Sequence, residues 1–173
     1  GNNQADNIVA VAQAQMGKTK AQLNYTEAWC ADFVSDCASL AGISNIIPGN
    51  GYCQTLYNNI KNKGGQDVSS PQKGDIVFYY CKSCSVHWCH VGIMINSSQS
   101  VEGNYNGKVS LVNGIYKDGN GHSLANGHIT RRFIRPAYVS AKPFHINIDS
   151  PKAGASTTSG ITAEGWAIYG NGV

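Results

Sequence analysis

The apolar pattern changes period once along this chain, near Pro71, and that change limits the fold more than any other feature. Before it, apolar residues recur every three or four positions, as on helices; after it come apolar runs of strand length. Between Ala28 and Ala41 the stripe is Trp29, Phe33, Val34, Cys37, Leu40 and Ala41, with Asp32, Ser35, Asp36 and Ser39 opposite. Residues 4–15 and 53–63 repeat the helical pattern, and Gly17, Gly42 and Gly64-Gly65 serve as stops. Thr26 or Glu27 is the expected cap of the helix that carries Cys30. Strands are expected at residues 76–80, 90–95, 100–104, 109–112 and 128–134, the last ended by Pro136. Helices first and an antiparallel sheet afterwards define an α+β domain.

Residues 1–139 form the expected main domain. Residues 140–173 read as a linker, rich in Pro, Ser, Thr and Gly, leading into the start of a truncated β-type module. About 30 residues are too few to bury a core of their own. The opening Gly1-Asn2-Asn3 is expected to be a processed or trimmed start.

Composition narrows the function. Charged residues make up 13% of the chain and the net charge is +3, without a basic block, so no nucleic acid partner is expected. No run of 18 apolar residues exists, so no membrane span is expected. The chain is expected to act as a monomer.

Cys30 lies in the first turn of its helix, where free N–H groups and the positive end of the dipole stabilise a thiolate. A buried, inert cysteine is the alternative reading of that position. Strand alternation puts Val91, Ile93 and Ile95 toward the core and His90, Gly92 and Met94 on the other face. It also puts Glu102 and Asn104 on one face. A helix start packed on the His90 face, with Gly92 leaving room for it, would join nucleophile, base and orienting group. A core histidine without chemistry is the competing reading of His90. His87 competes as base, but it precedes the strand.

Six cysteines are present: Cys30, Cys37, Cys53, Cys81, Cys84 and Cys89. With Cys30 free, the remaining five cannot all pair within the chain. Cys81, Cys84, His87 and Cys89 have spacing that suits zinc; a disulfide such as Cys81–Cys84, one involving Cys53 or Cys37, and free thiols are the competing readings, and all stay open. Asp118-Gly119-Asn120-Gly121 lacks the acids of a calcium loop and reads as a β-turn. His122, His128 and His145 read as surface or packing residues.

Four blocks carry a family resemblance: Trp29-Cys30-Ala31-Asp32-Phe33-Val34, Lys73-Gly74-Asp75-Ile76-Val77-Phe78-Tyr79, His90-Val91-Gly92-Ile93 and Val101-Glu102-Gly103-Asn104. In this order they resemble the CHAP domain, a papain-like family of bacterial and phage peptidoglycan hydrolases related to the NlpC/P60 peptidases. Phe133-Ile134-Arg135-Pro136 looks like the family's last strand, and the likeness spans roughly residues 7–139. The resemblance implies a papain-like α+β fold, Cys30 as nucleophile, His90 as base, and Glu102 or Asn104 as the third member. Many members carry Gln before the nucleophile as an oxyanion donor; here Trp29 stands there and that donor is unassigned. The tail around Ile148 to Gly154 and Gly165-Trp166-Ala167 is similar to the opening of a β-sandwich repeat of Gram-positive wall enzymes.

The resulting expectation is a cysteine peptidase or amidase that cuts an amide bond of peptidoglycan through an acyl-enzyme. It needs no cofactor and no catalytic metal. Its partner is bacterial peptidoglycan, and its place is outside the cell at a Gram-positive wall, or in a phage lysin. Trp29, Trp88 and Tyr105 are candidate walls of an acceptor cleft on the His90 face. A non-catalytic wall-binding or zinc-holding module, and a protein-directed cysteine peptidase, are the competing functions.

Overall fold

In a computed structural model of the chain, residues 3–114 and 116–139 are described in full, together with the backbone of two later strands. Three helices come first: α1 (Asn3–Ala14), α2 (Cys30–Leu40) and α3 (Cys53–Asn62). Six strands follow: β1 (Gln66–Val68), β2 (Ile76–Cys81), β3 (Trp88–Met94), β4 (Ser100–Tyr105), β5 (Lys108–Val112) and β6 (Ile129–Arg135). They form one antiparallel sheet in the order β1-β6-β2-β3-β4-β5. The chain divides into two compact units, Gly1–Val139 and Ser140–Val173; in the second, β7 (Ile146–Ser150) pairs antiparallel with β8 (Glu164–Ala167). Among the described residues, no helix is long and apolar enough to cross a membrane. His145 lies outside the described residues.

Most of the apolar stripe of α2 buries as its period predicts, but Leu40, at the last turn, is exposed to solvent. Phe33, Val34 and Cys37 bury against Ile8, Val9 and Ala12 of α1, Leu56 and Ile60 of α3, and Phe78, Val91, Ile93 and Val101 of the sheet. Each large side chain in this cluster contributes about 1.5–3 kcal/mol through burial. A second apolar cluster occupies the other face of the sheet: Val77, Tyr79, Cys81, Met94, Tyr116 and Ile129. A sheet covered on both faces explains why β2 reads as a continuous apolar run rather than an alternating one.

Several expectations need correcting. The body of α2 packs on the Val91 and Ile93 face, not on the face of Met94 and Tyr79. Gly92 makes room for Glu102, not for the helix: a Cβ there would sit 2.5 Å from Glu102 Cγ. Gly103 is the glycine that admits the helix, since its Cβ would lie 2.5 Å from Phe33 Cβ and 2.9 Å from Trp29. The N-cap of α2 is Trp29, without a side-chain cap, rather than Thr26 or Glu27. Two bulges break strand alternation. One shifts the β2–β3 register, so that Tyr79 faces His90 but Tyr80 faces Trp88. The other lies in β4, where Glu102 faces Ser110 but Tyr105 faces Lys108, and Asn104 takes the left-handed φ of 59°. Asn104 therefore does not repeat the placement of Glu102.

The Lys73-Gly74-Asp75 block is structural. Asp75 is fully buried and accepts both prongs of Arg135, from Nε and Nη2, each at 2.9 Å, with the Gln72 N–H at 2.8 Å. The fork ties the start of β2 to the end of β6.

Candidate active site

β3 and β4 pair only at Ile93–Val101 and Met94–Ser100. Toward His90 the two backbones part, and side chains connect them instead. His90 Nε2 donates to Glu102 Oε2 at 2.9 Å. Glu102 Oε1 accepts from the Tyr79 hydroxyl at 2.5 Å and the Ser100 hydroxyl at 2.6 Å. Glu102, Tyr79, Ser100 and His90 are all buried. A carboxylate with four lone-pair sites and three donors is well satisfied there. The imidazole is also fixed by its faces: it stacks on Tyr116 at 4.7 Å between centroids and lies 5.7 Å from the Tyr79 ring.

The first turn of α2 sits beside this pair, anchored by Trp29 and Phe33 against Gly103. It presents Cys30 to His90, and with Nε2 held by Glu102, Nδ1 is the nitrogen left for the thiol. Cys53, the first residue of α3, brings its sulfur to 3.8 Å from that of Cys30. The Cys53 thiol donates to Cys30 and is the leading cause that holds the Cys30 thiol well below its ordinary range. Burial opposes this, and hydrogen bonding and charge from His90 and the Ala31 N–H support it. Burial disfavours the His90 imidazolium, but Cys30 and Glu102 outweigh it and push its pKa up to about 10. Both shifts favour a thiolate beside an imidazolium.

The first intrahelical bond of α2 is Phe33 N–H to Trp29 O, so the N–H groups of Cys30, Ala31 and Asp32 precede the helical ladder. The Cys30 N–H can serve an oxyanion formed beside the sulfur.

Cys30 opens onto a cleft of about 790 Å³ lined by Tyr52, Cys53, Tyr80, Val86, His87 and Trp88, among others. Of the three expected cleft walls, Trp88 lines this cleft. Trp29 does not: it is fully buried, stacked on Tyr25 at 5.1 Å, and its indole N–H is the one buried side-chain donor without a partner among the described residues. Tyr105 lies 6.4 Å from the His90 ring and is not part of the cleft lining. His87 lines the cleft, and its Nδ1 lies 3.0 Å from the Cys81 carbonyl oxygen rather than at the thiol. A second cavity, about 450 Å³, borders Asp6, Lys73 and Arg135, whose charges are already paired; its lining has neither a thiol nor an imidazole.

Sequence reasoning missed Cys53, Tyr79, Ser100 and Tyr116. Ser100 carried a signal, since it precedes Glu102 by two on one strand face. Cys53, like Cys30, opens a helix, and that shared position was the only cue. Cys81 and Cys84 form a disulfide, while Cys30, Cys37, Cys53 and Cys89 are free thiols.

Scanned against models of known protein families, the chain matches none, and no curated protein matches it.

Proposed function

We propose that the chain is a cysteine hydrolase of the CHAP type, with a papain-like fold, that cuts an amide bond of peptidoglycan. The bond lies within the stem or cross-bridge peptide, or between muramic acid and its first alanine. The observation that carries the reading is the arrangement of Cys30 at a helix start, His90 beside it and Glu102 behind His90. The cleft at Cys30 has the volume for a short peptide, and Trp88 is its aromatic wall.

In this reading the Cys30 thiolate attacks the carbonyl carbon, and the oxyanion takes the Cys30 N–H. The His90 imidazolium gives its proton to the leaving nitrogen as the C–N bond breaks, leaving a thioester. Neutral His90 then takes a proton from water, whose oxygen attacks the thioester. The carboxylic acid leaves and the thiolate–imidazolium pair returns. Glu102 holds the ring and its charge throughout. The Cys81–Cys84 disulfide supports a setting outside the cytoplasm, at a Gram-positive wall or in a phage lysin.

The test is mass spectrometry of fragments released from purified peptidoglycan by the wild type and by Cys30→Ala. Fragments that depend on Cys30 support the hydrolase, and their new termini name the bond. No release from any of several wall types sinks it.

A further inference from the structure

A second cluster of reactive side chains lies outside the Cys30 centre, where the end of β2 meets the loop 117–123. That loop is closed by a bridge between Lys117 and Ser123. Asp118 Oδ1 accepts the N–H groups of Asn120 and His122, and Oδ2 lies 2.8 Å from His122 Nδ1. The same His122 nitrogen lies 3.7 Å from Cys81 Sγ and 3.5 Å from Cys84 Sγ. Cys84 Sγ is 3.9 Å from Asp118 Oδ2. All four ligand atoms fall within 4.8 Å of one another.

Those separations match a known geometry. With zinc–sulfur bonds of about 2.3 Å and zinc–nitrogen or zinc–oxygen bonds of about 2.0–2.1 Å, a tetrahedron has sulfur–nitrogen and sulfur–oxygen edges of about 3.5 Å and a nitrogen–oxygen edge of about 3.3 Å. The four separations above lie within about 0.5 Å of those edges. The sulfur–sulfur edge is closed by the disulfide, and the remaining edge, Cys81 Sγ to the Asp118 carboxylate, is within 4.8 Å. Two thiolates, an imidazole and a carboxylate suit zinc, whereas calcium and magnesium take oxygen ligands.

The donors expected from sequence spacing point elsewhere. His87 Nδ1 engages the Cys81 carbonyl, and Cys89 donates to the Tyr79 carbonyl. His128 is engaged with Ser83 at 2.9 Å.

We propose that the dithiol form of this chain binds one zinc ion through Cys81, Cys84, Asp118 and His122. Disulfide and metal are alternative closures of the same corner. A dithiol reductant passes two electrons and two protons to the Cys81–Cys84 bond and leaves as its own disulfide. Zinc then displaces the two thiol protons to solvent and binds both sulfurs as thiolates. Either closure fixes the segment 81–84, which leads directly into Ser85, Val86 and His87 of the cleft wall.

The test uses the full chain carrying Cys30→Ser, which removes the other reactive thiolate. The protein is reduced, freed of reductant without air, and titrated with Zn2+; Co2+ in parallel reports tetrahedral thiolate ligation by its visible bands. One zinc per chain is expected after reduction and none after reoxidation. Asp118→Ala and His122→Ala each weaken binding at least ten-fold, while His87→Ala and Cys89→Ser bind as the parent does. Far-UV circular dichroism of each metal-free variant separates loss of the site from loss of the fold. A reduced chain that takes up no zinc overturns the proposal. So does zinc that survives in His122→Ala and Asp118→Ala.

Discussion

Glu102 divides its carboxylate between His90 on one oxygen and the hydroxyls of Tyr79 and Ser100 on the other. The hydroxyls aim the carboxylate, and the carboxylate aims the imidazole. Glu102→Gln keeps the shape but places an NH2 group among donors. Turnover of solubilised peptidoglycan is expected to fall roughly 10²- to 10⁴-fold, the range for losing an oriented general acid–base. Equal turnover in the variant and the wild type would remove Glu102 from the catalytic group.

The pH profile follows from the same pair. Acylation needs a Cys30 thiolate and a His90 imidazolium together. Cys30 is held well below the ordinary thiol range, so the acid limb lies on the acidic side of that range. Cys30 and Glu102 push His90 up to about 10, so kcat/KM is expected to hold through neutral pH and fall as pH rises through about 10. An alkaline limb near the ordinary imidazole value would contradict the ion pair.

Cys53 is the leading stabiliser of the Cys30 thiolate. Cys53→Ala is expected to move the Cys30 titration upward, and Cys53→Ser, which keeps a donor, to move it less. Ultraviolet absorbance of the thiolate reports this cleanly, because burial pushes Cys37 up to about 12 and Cys89 up to about 11. An unmoved titration in Cys53→Ala would show that Cys53 does not set the thiol and leave that to His90 and the Ala31 N–H.

Two glycines separate function from stability. Gly92→Ala drives a methyl group into the Glu102 side chain, and Gly103→Ala drives one into Phe33. Each overpacking is expected to cost about 1–3 kcal/mol, read as a lower urea midpoint. Gly92→Ala also displaces the carboxylate, so its turnover is expected to fall at temperatures where the variant remains folded. Full turnover in folded Gly92→Ala would mean that Glu102 tolerates the shift.

Much of this architecture was legible. The period of Phe33, Val34 and Cys37 marked α2, and the run from Ile76 marked β2. Cys30, His90 and Glu102 were singled out by helix position, strand alternation and the family resemblance together, and the structure brings the three side by side. What stayed hidden is nonlocal or depends on register. Alternation over His90 to Met94 is kept, but it does not say which face of the sheet α2 covers, and the body of α2 lies on the Val91 and Ile93 face. The left-handed turn at Asn104 removes it from the Glu102 face. Trp29 looked like a cleft wall because an aromatic beside a nucleophile fits either role; only Gly103, from a distant strand, reveals that it is packed inside. Cys53 and His122 reach their partners across 23 and 38 residues, and no local pattern announces such meetings.

The two-sided sheet has a further consequence. Cys30 is seated among the helix-facing apolar residues, whereas His90 is gripped by Tyr79 and Tyr116 on the opposite side. The thiol and the imidazole are thus upholstered by different sets of neighbours. Substitutions in one set reach the thiol first and in the other the imidazole first, and because Cys30 and His90 each shift the other, a change on either side of the sheet is felt by both.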